Sequence, residues 1–157
     1  KQIDETLFAI QELKIPTLWF WPNVDAGADG TSGGIRAFRE KYKMAHVHFF
    51  KNMEPDDFLG LLLNSKCLVG NSSVGIRECA FLGVPVVNIG TRQNRRMRGN
   101  NVVDVSYDCS EIIMGIKKWL DRERPASDRL YGEGDAGLKI ARWLSTIPLS
   151  FHKTIAY

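Results

Sequence analysis

The feature that most constrains this chain is an alternation: short apolar runs bounded by Gly or Pro take turns with amphipathic stretches, joined by short connections. Ile3, Leu7, Ile10 and Leu13 recur on one helical face, which predicts a helix over about residues 2–14 that Pro16 stops. Thr17-Leu18-Trp19-Phe20-Trp21 is a continuous apolar run closed by Pro22 and reads as a buried strand. Asn23 to Gly34, rich in Gly, Asp and Asn, reads as a loop before a helix from Ile35 to Tyr42. The pattern continues with a strand His46 to Phe50, a helix Pro55 to Asn64 and a strand Cys67 to Gly70. A helix Val74 to Leu82, a strand Val84 to Ile89, a strand Asn101 to Val105 and a helix Ser110 to Leu120 with Ser110 as N-cap follow. After the Gly-rich Tyr131 to Gly137 comes a last helix, Leu138 to Ser145. Parallel strands need crossovers, and crossovers are right-handed, so the expected class is α/β with a doubly wound parallel sheet.

At 157 residues the chain has room for one domain with a real core. The expected division is a domain over 1–147 and a tail over 148–157. Net charge is only +3, which gives no global attraction to nucleic acid or to acidic membranes. No apolar stretch reaches the length of a membrane span, and no signal peptide opens the chain. Cys67, Cys79 and Cys109 are odd in number, widely spaced and without histidines at ligand spacing. They indicate neither a disulfide framework nor a metal site, and fit a reducing, cytoplasmic compartment. Lys1 stands where an initiator methionine would, so the expectation is a piece of a longer protein.

In parallel α/β folds, ligands bind beyond the carboxyl ends of strands. The informative turn here is Leu68-Val69-Gly70-Asn71-Ser72-Ser73-Val74-Gly75-Ile76-Arg77-Glu78. Glycines let an anion approach the backbone, the first helical N–H groups favour phosphate, and the hydroxyls of Ser72 and Ser73 add donors. Glu78, a turn further on, would repel phosphate but accept hydrogen bonds from a ribose diol. Phosphate donors beside a diol acceptor make a nucleotide site. A plain N-capped helix with a solvated Glu78 fits the motif equally well. Strand Val84 to Ile89 ends in Gly90-Thr91-Arg92-Gln93, a neighbouring turn from which Arg92 would reach a diphosphate or the neighbouring sugar. Arg95, Arg96 and Arg98 either thicken the positive field there or form a solvated basic loop, the favoured reading of the two.

Gly70-Asn71-Ser72-Ser73-x-Gly-Ile-Arg-Glu78, followed by Phe81-Leu82-Gly83-Val84-Pro85-Val86-Val87-Asn88-Ile89-Gly90-Thr91-Arg92-Gln93, resembles the UDP-N-acetylglucosamine 2-epimerases. The likeness is closest to the hydrolysing branch that makes N-acetylmannosamine for sialic acid synthesis. Trp21-Pro22-Asn23-Val24-Asp25-Ala26-Gly27 and Tyr131-Gly132-Glu133-Gly134 extend it across about residues 2–147. The resemblance implies one Rossmann-like half, the C-terminal one, of a two-domain fold of the glycosyltransferase-B kind with UDP in the cleft. It implies that Ser72 and Ser73 hold the diphosphate and Glu78 the ribose hydroxyls. Asn23 and Arg92 would line the UDP site, and the backbone near Met53 would meet the uracil. No cofactor or metal is implied. The partners implied are a UDP-sugar substrate, an N-terminal domain of the same enzyme and further copies in a homo-oligomer.

Three departures carry expectations. The family usually has a glycine near Arg95, and a lysine near Asp29 in the vertebrate bifunctional relatives that bind a feedback inhibitor. Relatives also place a strand and a His-Pro-Val segment before the position of residue 1; without that central strand the sheet would have a gap. The catalytic acid and base are expected in the N-terminal half, because Asp25, Asp29, Glu133, His46 and His48 form no local acid–base pair. The competing readings are a non-hydrolysing epimerase, the donor-binding domain of a glycosyltransferase, and a UDP-binding module without turnover.

Overall fold

The computed structural model describes residues 2–22 and 28–148. Along them run α1 Gln2–Leu13, β1 Thr17–Phe20, α2 Ala28–Lys41, β2 Val47–Phe50, α3 Pro55–Asn64, β3 Leu68–Gly70, α4 Ser73–Ile76, α5 Glu78–Leu82, β4 Val86–Ile89, β5 Val102–Val105, α6 Cys109–Leu120 and α7 Ala136–Thr146. Every ladder is parallel, in the α/β arrangement that the alternation dictates. Among the described residues the strands form two separate ladders, β1-β2 and β3-β4-β5. Packing joins them. Val47 of β2 and Val87 and Ile89 of β4 belong to one buried cluster with Leu7, Ile35, Phe38, Ile112 and Trp119.

Strand β4 organises the domain. Val87 and Ile89 face that large cluster, while Val86 joins Leu62, Cys79 and Val84 on the opposite side. A strand covered on both faces reads as a continuous apolar run, which is why Val84 to Ile89 is legible. Helix α6 covers the first face with Ile112, Ile113, Ile116 and Trp119, and the Trp119 indole N–H donates to the Val86 carbonyl at 3.1 Å. Glu5 of α1 accepts from the Cys109 N–H at 3.1 Å, placing a carboxylate on the positive end of α6.

Several expected boundaries change. Helix α2 begins at Ala28, so much of the expected glycine-rich loop is helix. Intrinsic propensity disfavours Gly30, Gly33 and Gly34 there. Tertiary packing overrides it: a Cβ on Gly34 would lie 2.8 Å from Ile3 Cγ2, so glycine admits the close approach of α1. The cap of α6 is Asp108, not Ser110; its carboxylate accepts from the Glu111 N–H at 3.0 Å. The Ser110 hydroxyl also donates to that carboxylate, and the two bonds hold Asp108 below its usual pKa. Helix α7 buries none of its residues among those described, although it lies inside the expected 1–147 domain. The tail beyond Pro148 lies outside the described residues.

Candidate functional site

The parallel register sets the carboxyl ends of three strands side by side: Gly70 lies opposite Asn88, and Asn88 opposite Asp104. The turns that leave β3 and β4 therefore meet at one sheet edge. In the first turn Ser72 is the N-cap, its hydroxyl oxygen accepting from the Val74 N–H at 3.4 Å. That oxygen keeps its own proton to donate outward. The expected single helix Val74 to Leu82 is instead two short ones, broken at Arg77 where ψ swings to −71°. A four-residue α4 adds little macrodipole, so the donors that matter here are local N–H groups and hydroxyls.

The break gives Glu78 its setting. It opens α5, half-buried, and its Oε2 is buried with no hydrogen-bond partner among the described residues. A buried carboxylate oxygen without a donor is destabilising, and its presence in a folded protein asks for a missing donor. Glu78 is therefore not the solvated surface charge that a plain helix cap would leave there.

The turn after β4 closes over the first turn. Gly90 takes φ 73°, and a Cβ there would sit 2.0 Å from the Tyr107 ring, so only glycine turns the chain at this point. Arg92 Nη1 then donates to the Asn71 carbonyl at 3.3 Å, and Gln93 Nε2 to the same oxygen at 2.7 Å. The two turns are thus brought together as expected, with Arg92 exposed beside Ser72.

Arg98 is not the solvated group that its basic loop suggests. Its Nε lies 3.1 Å from Asp104 Oδ2, its Nη1 donates to the carbonyls of Gln93 and Arg96, and Asn88 Nδ2 donates to Asp104 Oδ1 at 2.6 Å. Gln93, Arg98, Asp104 and Asn88 are the residues that the motif reading missed. A polar residue inside a buried strand, Asn88 between Val87 and Ile89, was the one available signal.

Arg95 has φ 67°, the left-handed region, where the resembled family usually has glycine. The strain of a side chain there is roughly 1–2 kcal/mol, partly offset by the entropy that glycine loses on folding. Arg95→Gly is therefore expected to raise stability by about 0.5–1 kcal/mol in urea denaturation. An unchanged or lower midpoint would contradict the strain.

Met53 lies half-buried between β2 and α3, and Asn23, Asp25 and the rest of their segment lie outside the described residues. Glu133 pairs with Arg129 at 3.5 Å, and Asp29 is exposed near the start of α2. His46 Nε2 sits 3.0 Å from the Ile10 carbonyl, a fastening between α1 and β2; His48 is exposed against Phe50. Burial pushes the Cys67 thiol up to about 11. Burial, then the Glu78 charge, pushes Cys79 to about 12. Neither is a nucleophile. Among the described residues no cluster of three or more His, Cys, Asp or Glu is placed to hold a metal ion, and no helix is long and apolar enough to cross a membrane.

Compared with known proteins, residues 1–145 match the model of the family described as UDP-N-acetylglucosamine 2-epimerase. The chain belongs to this family. It is 37% identical over 128 residues to the Legionella pneumophila "UDP-N,N'-diacetylbacillosamine 2-epimerase (hydrolyzing)", covering 82% of this chain and 33% of that protein. To the Neisseria meningitidis "UDP-N-acetylglucosamine 2-epimerase" it is 30% identical over 127 residues, or 81% of this chain and 33% of that protein. The chain thus spans about a third of the length of these epimerase relatives. Among solved structures it is similar to the Methanocaldococcus jannaschii UDP-GlcNAc 2-epimerase crystallised with UDP-GlcNAc and UDP. The TM-score is 0.71 at 15% identity, over 91% of this chain and 39% of that one. At that identity the likeness establishes the fold alone: a Rossmann-like α/β domain.

Proposed function

We propose that this chain is the UDP-binding portion of a hydrolysing UDP-N-acetylglucosamine 2-epimerase, which converts UDP-N-acetylglucosamine to N-acetylmannosamine and UDP. The observation that carries the reading is the partnerless, buried Oε2 of Glu78 just beyond the Ser72-Ser73 turn. In this reading Ser72 and Ser73 donate to the diphosphate, Glu78 accepts from the ribose hydroxyls, and Arg92 neutralises phosphate charge. Asn23 and the backbone near Met53 complete the pocket around the nucleoside.

The reaction that fits such a site begins with loss of UDP from the anomeric carbon and of a proton from its neighbour, giving a glycal. Water then adds with inversion at that neighbour. Negative charge gathers on the departing diphosphate, so donors fixed at the Ser72-Ser73 turn and at Arg92 stabilise the transition state electrostatically. In this reading the acid and base belong to an N-terminal half; the chain itself spans 33% of the L. pneumophila relative. The complete enzyme is a cytoplasmic homo-oligomer in this reading. This chain alone binds UDP without turnover.

The hydrolysing outcome is favoured by two relatives, from L. pneumophila and Campylobacter jejuni, whose names carry that word. Both names specify N,N'-diacetylbacillosamine, which makes a diacetamido UDP-sugar the second substrate to test. The experiment is product analysis by the full-length protein with each UDP-sugar and no acceptor. From UDP-N-acetylglucosamine, free N-acetylmannosamine with stoichiometric UDP is expected; a diacetamido UDP-sugar would instead release its own 2-epimer with UDP. UDP-N-acetylmannosamine as sole product would establish the non-hydrolysing alternative, and no product without an added acceptor would favour a glycosyltransferase.

A further inference from the structure

We propose that Gln93 is a positioning residue of the nucleotide site: its buried amide holds the Asn71 carbonyl, and with it the Ser72-Ser73 turn, in place while Arg92 engages the ligand. The inference rests on reading that turn as a diphosphate site. Two donors converge on the Asn71 carbonyl, and they are unlike. Arg92 reaches it at 3.3 Å from an exposed position. Gln93 reaches it at 2.7 Å from a side chain only 3% exposed. A guanidinium bonds an anionic phosphate more strongly than a neutral carbonyl, so an arriving diphosphate draws Arg92 away. Gln93 is neutral and enclosed, and stays.

Gln93 is itself anchored. Its backbone carbonyl accepts from Arg98 Nη1 at 2.8 Å, and Arg98 is clamped to Asp104 of β5. Asp104 in turn accepts from Asn88 of β4 at 2.6 Å. The serine turn is thereby tied, through one side chain, to the ends of two strands of the sheet. A packing role does not account for glutamine here. Its Oε1 is buried without a partner among the described residues, so an apolar side chain of equal length would be less costly in the folded protein. The bond to Asn71 is what the amide supplies.

The test uses the full-length protein with Gln93→Met, which keeps the length of the side chain and removes the donor. UDP and uridine are titrated into wild type and variant, with thermal unfolding measured alongside. Because Gln93 acts on the diphosphate donors alone, the Kd for UDP is expected to rise about tenfold while that for uridine and the unfolding temperature hold. A general structural role would weaken both ligands together or lower the unfolding temperature, and either result overturns the proposal. So does unchanged binding of both ligands, which leaves the nucleotide site itself standing. Wild type that binds no UDP removes the nucleotide reading and this inference with it. Should Q93M not fold, Gln93→Asn, one methylene short of Asn71, must show a reduced preference for UDP over uridine; a preserved preference overturns the role.

Discussion

Arg92→Ala is expected to weaken UDP binding roughly 10- to 100-fold, the loss of one hydrogen-bonded pair with an ionised partner. The side chain leaves the turn after β4 exposed and already points across the gap to the Asn71 carbonyl. Little stability should be lost with it, because the side chain is exposed. Arg92→Lys keeps the charge but not the planar fork, so it should fall between wild type and alanine. Raising ionic strength should narrow the difference between wild type and alanine, since this site opens to solvent. Titration of UDP into the three proteins at low and high salt checks all of this. Equal affinities would remove Arg92 from the site and leave it a surface tether for the neighbouring turn.

The largest expected effect on folding comes from Trp119→Ala. The indole is 6% exposed, packs in the main cluster against β4, and donates to the Val86 carbonyl. Removing a buried aromatic of this size costs about 3–5 kcal/mol. That is a large part of the stability of an ordinary domain. Trp119→Phe retains most of the packing but leaves the Val86 carbonyl without this donor, an expected loss of about 1–2 kcal/mol. Urea denaturation followed by circular dichroism distinguishes the two. An alanine variant within about 1 kcal/mol of wild type would mean that α6 does not carry the β4 face as described.

How far the fold was legible follows from where its signals lie. Val84 to Ile89 announces a two-sided strand because both its faces are covered, and Gly70 to Ser73 announces a strand-to-helix turn because strand end, glycine and capping hydroxyls coincide. Two kinds of feature escaped. One is tertiary override: Gly30, Gly33 and Gly34 read as loop, yet close contact between α1 and α2 makes Gly34 a packing residue in a helix. The other is long-range polar pairing. Gln93 meets Asn71 across 22 residues and Asn88 meets Asp104 across 16, and neither pair has a period or a motif to reveal it. The break at Arg77 belongs with these, since apolar residues on both sides suggested one helix, and it is this break that sets Glu78 at the opening of α5.

The site residues define the most direct measurement: calorimetric titration of the full-length protein with UDP, for wild type, Ser73→Ala and Glu78→Ala. One UDP per chain in the wild type, bound more weakly by both variants, is the expected result. Glu78→Ala should show the larger loss, roughly 10-fold or more, because the hydrogen bonds removed involve an ionised acceptor. Wild-type affinity in both folded variants would contradict the nucleotide site and leave the serine turn as a helix cap.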